Sequence, residues 1–306
     1  MNLKNRTKIE NIKKIIKQDI LGYIFILPVV LGILIFSIYP MFSSLYFSFF
    51  KYYNGIKPPS GFGIFNYQKL FIDPDVILSL KITFTYAIVV IPLSLALSFI
   101  LAMFLNQDLK GIGVFRVLCY MPVIIPATVL GLLFSDFFNV RFGLANKILS
   151  TLGLPTSLFF ESSSSALITF MSTSLWGLGG SMILWLAALK NVPTTYYEAA
   201  KIDGASFFRR TFFITIPMCS NMIFYNLIMG IIGMLQTFSA VFTMTGGSAG
   251  PENCLLFFAM KIYYTAFSDW NMGYASALAW VMFLIIALLT GIVFKTSKWV
   301  FYGEDS

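Results

Sequence analysis

Six stretches of this chain are long and apolar enough to cross a bilayer as helices, which leaves few folds open. They lie near residues 20–50, 78–105, 115–138, 165–189, 212–243 and 272–294, and each exceeds the roughly 18 residues that spanning requires. A membrane barrel would instead show short alternating segments. Hydrophobic residues make up 58% of the 306 and charged residues only 11%, against about 25% charged in a soluble domain. The expectation is an all-α membrane protein with six transmembrane helices. The first run is too long for a signal h-region and lacks a cleavage site after Phe50. Pro28 and Pro40 predict a kink in it.

Lys and Arg set the orientation. Residues 1–19 carry Lys4, Arg6, Lys8, Lys13, Lys14 and Lys17. Together with Lys110, Arg116, Lys190, Lys201, Arg209, Arg210, Lys295 and Lys298 they place fourteen cations on one side against six on the other. Both termini are therefore expected in the cytoplasm. The layout is a basic segment over 1–19, a six-helix membrane domain over 20–296 and a tail over 297–306. The formal charge of +8 is read as topology signal and lipid-headgroup contact. No basic surface interleaved with exposed aromatics calls for nucleic acid. Cys119, Cys219 and Cys254 are too scattered for a disulfide framework or, with no histidine, a zinc site. They are read as apolar filler. The outside loops, near 53–77, 139–164 and 244–271, are rich in turn residues, among them Gly246, Gly247 and Gly250. Ser162 to Ser165 read as the N-cap of the fourth span.

The connection over residues 191–217, a polar, charged, glycine-turned insert, carries the sequence EAAKIDGASFFRRTFFITIP from Glu198 to Pro217. Thr195-Tyr196-Tyr197-Glu198 has the form of a capping box, predicting a helix from Tyr196 after the break at Pro193. Gly204 stands where that helix needs a left-handed stop, and Ser206 can cap the next. Ala199 and Ala200 beside Glu198 leave a narrow ridge suited to a groove on another protein. A capped surface helix joining two spans is the plainer reading of the same residues.

The spacing Glu-Ala-Ala, three residues, Gly204, nine residues, Ile214, one residue, Ile216 and Pro217 resembles the cytoplasmic coupling loop of ABC importer permeases. Ile216 replaces a leucine. Phe142-Gly143-Leu144, Thr245-Gly246-Gly247, the run from Tyr264 to Ala277, Leu27-Pro28 and Tyr39-Pro40 extend the resemblance to carbohydrate-importer permeases over most of residues 20–296. Ile82-Thr83 departs from an Asn-Thr pair common in them. The resemblance implies a type I importer-like fold whose coupling helix meets the ATPase through Glu198, Ala199, Ala200, Asp203, Gly204 and Pro217. It implies a bacterial cell-membrane location for this chain, with a second homologous permease, two ATPase subunits carrying ATP and Mg, and an extracellular solute-binding protein as partners. No cofactor is expected on this chain, and no phosphate-binding GxxxxGK[ST] sequence occurs.

The spans hold no interior charged residue, which argues against proton coupling. Trp176, Gly177, Gly180, Ser181, Tyr225, Asn226, Gln236 and Ser239 are the candidates for a path that offers rings and neutral polar groups to a sugar. The competing reading gives Gly179 and Gly180 to helix packing. The functional expectation is ATP-driven import of an oligosaccharide or related polyol by alternating access. An ion-coupled secondary transporter or channel for a neutral polar solute is the alternative, and it would need an ion site or paired half-helices. A membrane enzyme would need clustered catalytic groups at a membrane boundary, and none is seen.

Overall fold

The structure is a computed structural model and describes residues 20 and 22–301. The basic segment assigned to 1–19, with its six cations, and the end of the tail lie outside the described residues. The elements are α1 (Gly22–Ser48), β1 (Phe50–Tyr52), β2 (Ser60–Phe62), α2 (Phe65–Ile72), α3 (Pro74–Leu105), α4 (Ile112–Ile124), α5 (Ala127–Phe137) and α6 (Leu144–Thr151). They continue with α7 (Ala166–Gly177), α8 (Gly179–Lys190), α9 (Thr194–Ile202), α10 (Phe207–Met218), α11 (Ser220–Leu235), α12 (Ser239–Met244), α13 (Phe258–Tyr263) and α14 (Met272–Lys295).

Three of these helices, α1, α3 and α14, are each long and apolar enough to span alone. The other three expected spans are bent pairs: α4 and α5 meet at 97°, α7 and α8 at 45°, α10 and α11 at 67°. The sequence reading had them continuous, and the breaks have local causes. Pro126 forces Ile125 extended (φ −74, ψ 127) and turns the chain there. A 3-10 turn over Leu175–Gly177 tightens the end of α7. Cys219, two residues after Pro217, leaves the helical region (φ −96, ψ 13). Proline also widens helices here. Pro40 and Pro217 each follow a five-residue π segment, Leu34–Ile38 and Thr211–Thr215. A proline ring clashes with the carbonyl four residues back, and the wider turn relieves that contact.

Helix α3 is the central post. Its N-terminal half packs Ile82, Tyr86 and Val90 against Phe170, Val241 and Phe257. Its C-terminal half packs Ala102 and Leu105 against Met182, Trp185, Leu189 and Cys219. The Trp185 indole donates to Ser98 Oγ at 3.1 Å, which satisfies a polar group buried among apolar ones. The C-terminal end is closed by Arg116, whose Nε and Nη2 donate to the Leu105 carbonyl at 3.0 and 2.7 Å, a cation on a helix C-terminus.

At the N-terminal end Asp73 caps α3 and accepts from Tyr274 Oη at 2.9 Å. Lys261 of α13 lies 3.5 Å from Asp73 and 3.0 Å from Asp75. Burial opposes ionisation of Asp73, but Tyr274, Lys261 and the Asp75 N–H outweigh it and hold the carboxyl below its usual range. The antiparallel pair β1–β2 is a small departure from the all-helical expectation. The serine-cap expectation fails too. Ser165 Oγ donates to the Phe159 carbonyl at 2.7 Å and makes no cap bond to α7.

Candidate functional site

The connection between α8 and α10 is built around α9. Pro193, at φ −61 and ψ 133, caps the helix, which begins at Thr194, two residues before the expected start, with no side-chain cap bond. The capping box therefore does not form, because Thr195 lies inside the first turn. At the other end Gly204 adopts φ +71, the Gly204 N–H reaches the Lys201 carbonyl at 3.1 Å and the Ala205 N–H the Ala200 carbonyl at 2.8 Å. That is a Schellman stop. No atom lies within 4 Å of a Cβ built on Gly204, so backbone handedness alone asks for glycine. Ser206 then caps α10, accepting from the Arg209 N–H at 3.4 Å.

One face of α9 is bound to the rest of the chain and the other is bare. The Tyr197 and Thr215 hydroxyls pair at 2.9 Å, tying α9 to the π segment of α10. Burial raises the Tyr197 phenol above its ordinary range, so it remains a neutral hydroxyl. Glu198, Ala199, Lys201 and Asp203 are exposed, and Ala200 is half-buried. Ile202 is 87% exposed, a large apolar side chain standing in water or against a partner. Pro217 is exposed beside the break between α10 and α11.

No protein-family model matches the chain. The chain is 38% identical over 294 residues to the probable ABC transporter permease protein YesP of Bacillus subtilis, covering 95% of this chain and 94% of that one. It is 30% identical over 285 residues to the lactose transport system permease protein LacF of Rhizobium radiobacter, covering 92% of this chain and 95% of LacF. This chain belongs to the carbohydrate-importer family of ABC transporter permeases. Its fold is also that of a chain in a bacterial alginate ABC transporter crystallised with an alginate-bound periplasmic protein. There the TM-score is 0.82 at 22% identity, covering 93% of this chain and 96% of the other.

The permease's expected path residues fall into two groups. Trp176 and Gly177 lie at the break between α7 and α8. Gln236 and Ser239 lie at the break between α11 and α12, and all four are exposed. Trp176 meets Phe134 of α5 edge-on at 6.0 Å. Tyr86, missed in the sequence, holds these breaks together. Its hydroxyl pairs with Ser174 Oγ at 2.7 Å and also bonds Thr237, the neighbour of Gln236. Tyr225 and Asn226 sit about ten residues earlier on α11, roughly 15 Å along the axis. Tyr225 is exposed, whereas Asn226 is buried with Nδ2 donating to the Met222 carbonyl of its own helix at 2.9 Å. Asn226 is thereby a packing residue, not a bond to a neighbouring helix.

Gly179 and Gly180 part company. A Cβ on Gly179 would lie 2.1 Å from the Cys119 carbonyl oxygen, whereas one on Gly180 would touch only Val123 at 3.8 Å. The permease packs α8 on α4 through Gly179, and Gly180 and Ser181 stay partly accessible. The bent pairs also correct the sequence argument against a secondary transporter, since half-helices are present. Family membership, not their absence, decides against it. Thr83, beside the Ile82 departure, still serves as a polar link: its Oγ1 accepts from the Phe258 N–H at 2.9 Å.

Proposed function

We propose that this permease forms half of a heterodimeric translocation path for a neutral oligosaccharide or related polyol. In this reading a second homologous permease supplies the other half. Two ATPase subunits bind ATP and Mg, and an extracellular solute-binding protein delivers cargo to the outer loops. Both termini and α9 face the cytoplasm, as the fourteen-to-six distribution of cations predicts. The relatives supporting the cargo class are named for lactose, trehalose and maltose, and diacetylchitobiose.

The observation that carries the mechanism is the two-faced α9. Its outer ridge of Glu198, Ala199, Lys201, Ile202 and Asp203 is free for a partner, and Tyr197 fixes its inner face to α10. ATP-driven closure of the ATPases moves α9 as a unit. The Tyr197–Thr215 link passes that displacement to α10, and the 67° break at Cys219 is where α10 can rotate against α11. Trp176, Gly177, Gln236 and Ser239 offer a ring face, an open backbone and hydroxyl and amide groups where the helices break. Gly180, Ser181 and Tyr225 extend the path inward.

A cross-link tests the docking. An Ala199→Cys permease carrying a short bifunctional reagent joins to the ATPase subunit in the assembled importer, and the yield changes with ATP. No cross-link from Ala199 or Ile202, with cross-links forming from β1–β2 instead, would remove the assignment of α9.

A further inference from the structure

A cavity of about 970 Å3 opens between α3, α8, α9 and α10, away from the residues assigned to the path. Its long wall is Pro92, Leu95, Ala96, Phe99, Ile100 and Met103 of α3. It continues to Phe104, so that the wall runs about 18 Å along the helix, close to the depth of one leaflet of a roughly 30 Å hydrocarbon core. Ile100, Phe104 and Phe212 on this wall are exposed, so the groove is open sideways. Its polar groups gather where α3 gives way to the loop: Asn106, Gln107, Tyr197 and Arg210.

Arg210 decides the chemistry. Its Nε is buried without a hydrogen-bond partner, and it forms no ion pair with any described residue. None of the described residues lining the groove is acidic. The nearby Tyr197 hydroxyl pairs with Thr215 at 2.9 Å and takes no bond from the Arg210 Nε. A guanidinium left unmatched beside hydrocarbon is costly, and phosphate oxygens match its planar fork. The long α3 wall of Pro92, Leu95, Ala96, Phe99, Ile100 and Met103 offers no side-chain hydrogen-bond partner to a sugar's hydroxyls but suits an acyl chain.

We propose that this groove holds one anionic phospholipid, with its phosphate on Arg210 and an acyl chain along Pro92 to Phe104. Basic pockets between spanning helices on the cytoplasmic side are suited to such headgroups. Tyr197 and Thr215 line the groove and also tie α9 to α10, so the lipid lies against the link that transmits ATPase movement.

The test is lipid retention by the assembled importer, read by native mass spectrometry after exchange into equal phosphatidylglycerol and phosphatidylcholine. Wild type is expected to retain phosphatidylglycerol in preference. Arg210→Gln should lose that preference by about tenfold, the loss of one charge-assisted contact, while Arg210→Lys keeps part of it. Ala96→Trp, which fills the groove from an exposed position, should reduce retention of both lipids. Equal retention of both lipids by wild type would overturn the proposal, as would an unchanged preference in Arg210→Gln. So would displacement of phosphatidylglycerol by inorganic phosphate alone, which would make this a free-anion site. Efficient cross-linking of Ala96→Cys to the second permease would give the groove to the subunit interface instead. None of these readouts requires transport, so the lipid proposal and the cargo proposal fail separately.

Discussion

Gly204 carries a conformation and no contact, which makes its substitutions diagnostic. Gly204→Val places a β-branched residue at φ +71 and costs about 1–2 kcal/mol at the α9 stop, so ATP hydrolysis should continue while uptake falls. Gly204→Asn tolerates the left-handed region and should keep most uptake; paired hydrolysis and uptake rates check both. Tyr197→Phe removes one hydrogen bond, about 1 kcal/mol, and should lower uptake per ATP without dissociating the ATPase. Gln236→Leu should weaken uptake with ATPase binding intact, and unchanged uptake would take Gln236 out of the path. At this scale the glycine stop and the Ser206 cap were legible, because each is set by its neighbours along the chain. The roles of Tyr197, Tyr86 and Asn226 were not. Their partners, Thr215, Ser174 with Thr237, and the Met222 carbonyl, are chosen by how the helices pack or how one side chain turns.

The elements follow the apolar runs, and their interruptions follow proline and glycine. Length and hydropathy locate six spans without distinguishing a straight helix from a broken one. The 97° turn at Pro126 was implicit in the sequence, since the residue before a proline avoids helical geometry. The breaks at Leu178 and Cys219 needed the packing around them. Gly179 marks where α8 touches α4, and Gly179→Val would overpack that contact by about 1–3 kcal/mol; a lowered thermal midpoint of the purified permease checks it. At the N-terminus of α3, the carboxyl of Asp73 lies below its unfolded value of about 3.9. Its stabilising contribution is therefore complete above that value and is lost as pH falls through the depressed folded one. An acid titration of thermal stability should show this loss in wild type and a smaller one in Asp73→Asn.

The whole permease is a helical body with one bare ridge and several broken spans, and both features serve a machine driven from outside. A broken helix exposes backbone groups that a continuous one would satisfy, which supports the proposal of a polar path beside Trp176 and Gln236. Glu198, Ala199, Lys201, Ile202 and Asp203 of the α9 ridge stand exposed among the described residues. The coupling-loop pattern made the family legible from sequence, whereas the lipid groove emerged only when the Arg210 Nε was seen buried without a partner. The central claim is that the permease moves solute only when α9 is driven by ATP-hydrolysing subunits. Proteoliposomes containing both permeases and the solute-binding protein, with and without the ATPase subunits, measure it directly. Uptake of a neutral oligosaccharide is predicted only when ATPase and ATP are both present. Equal uptake by the permeases without them would contradict the account.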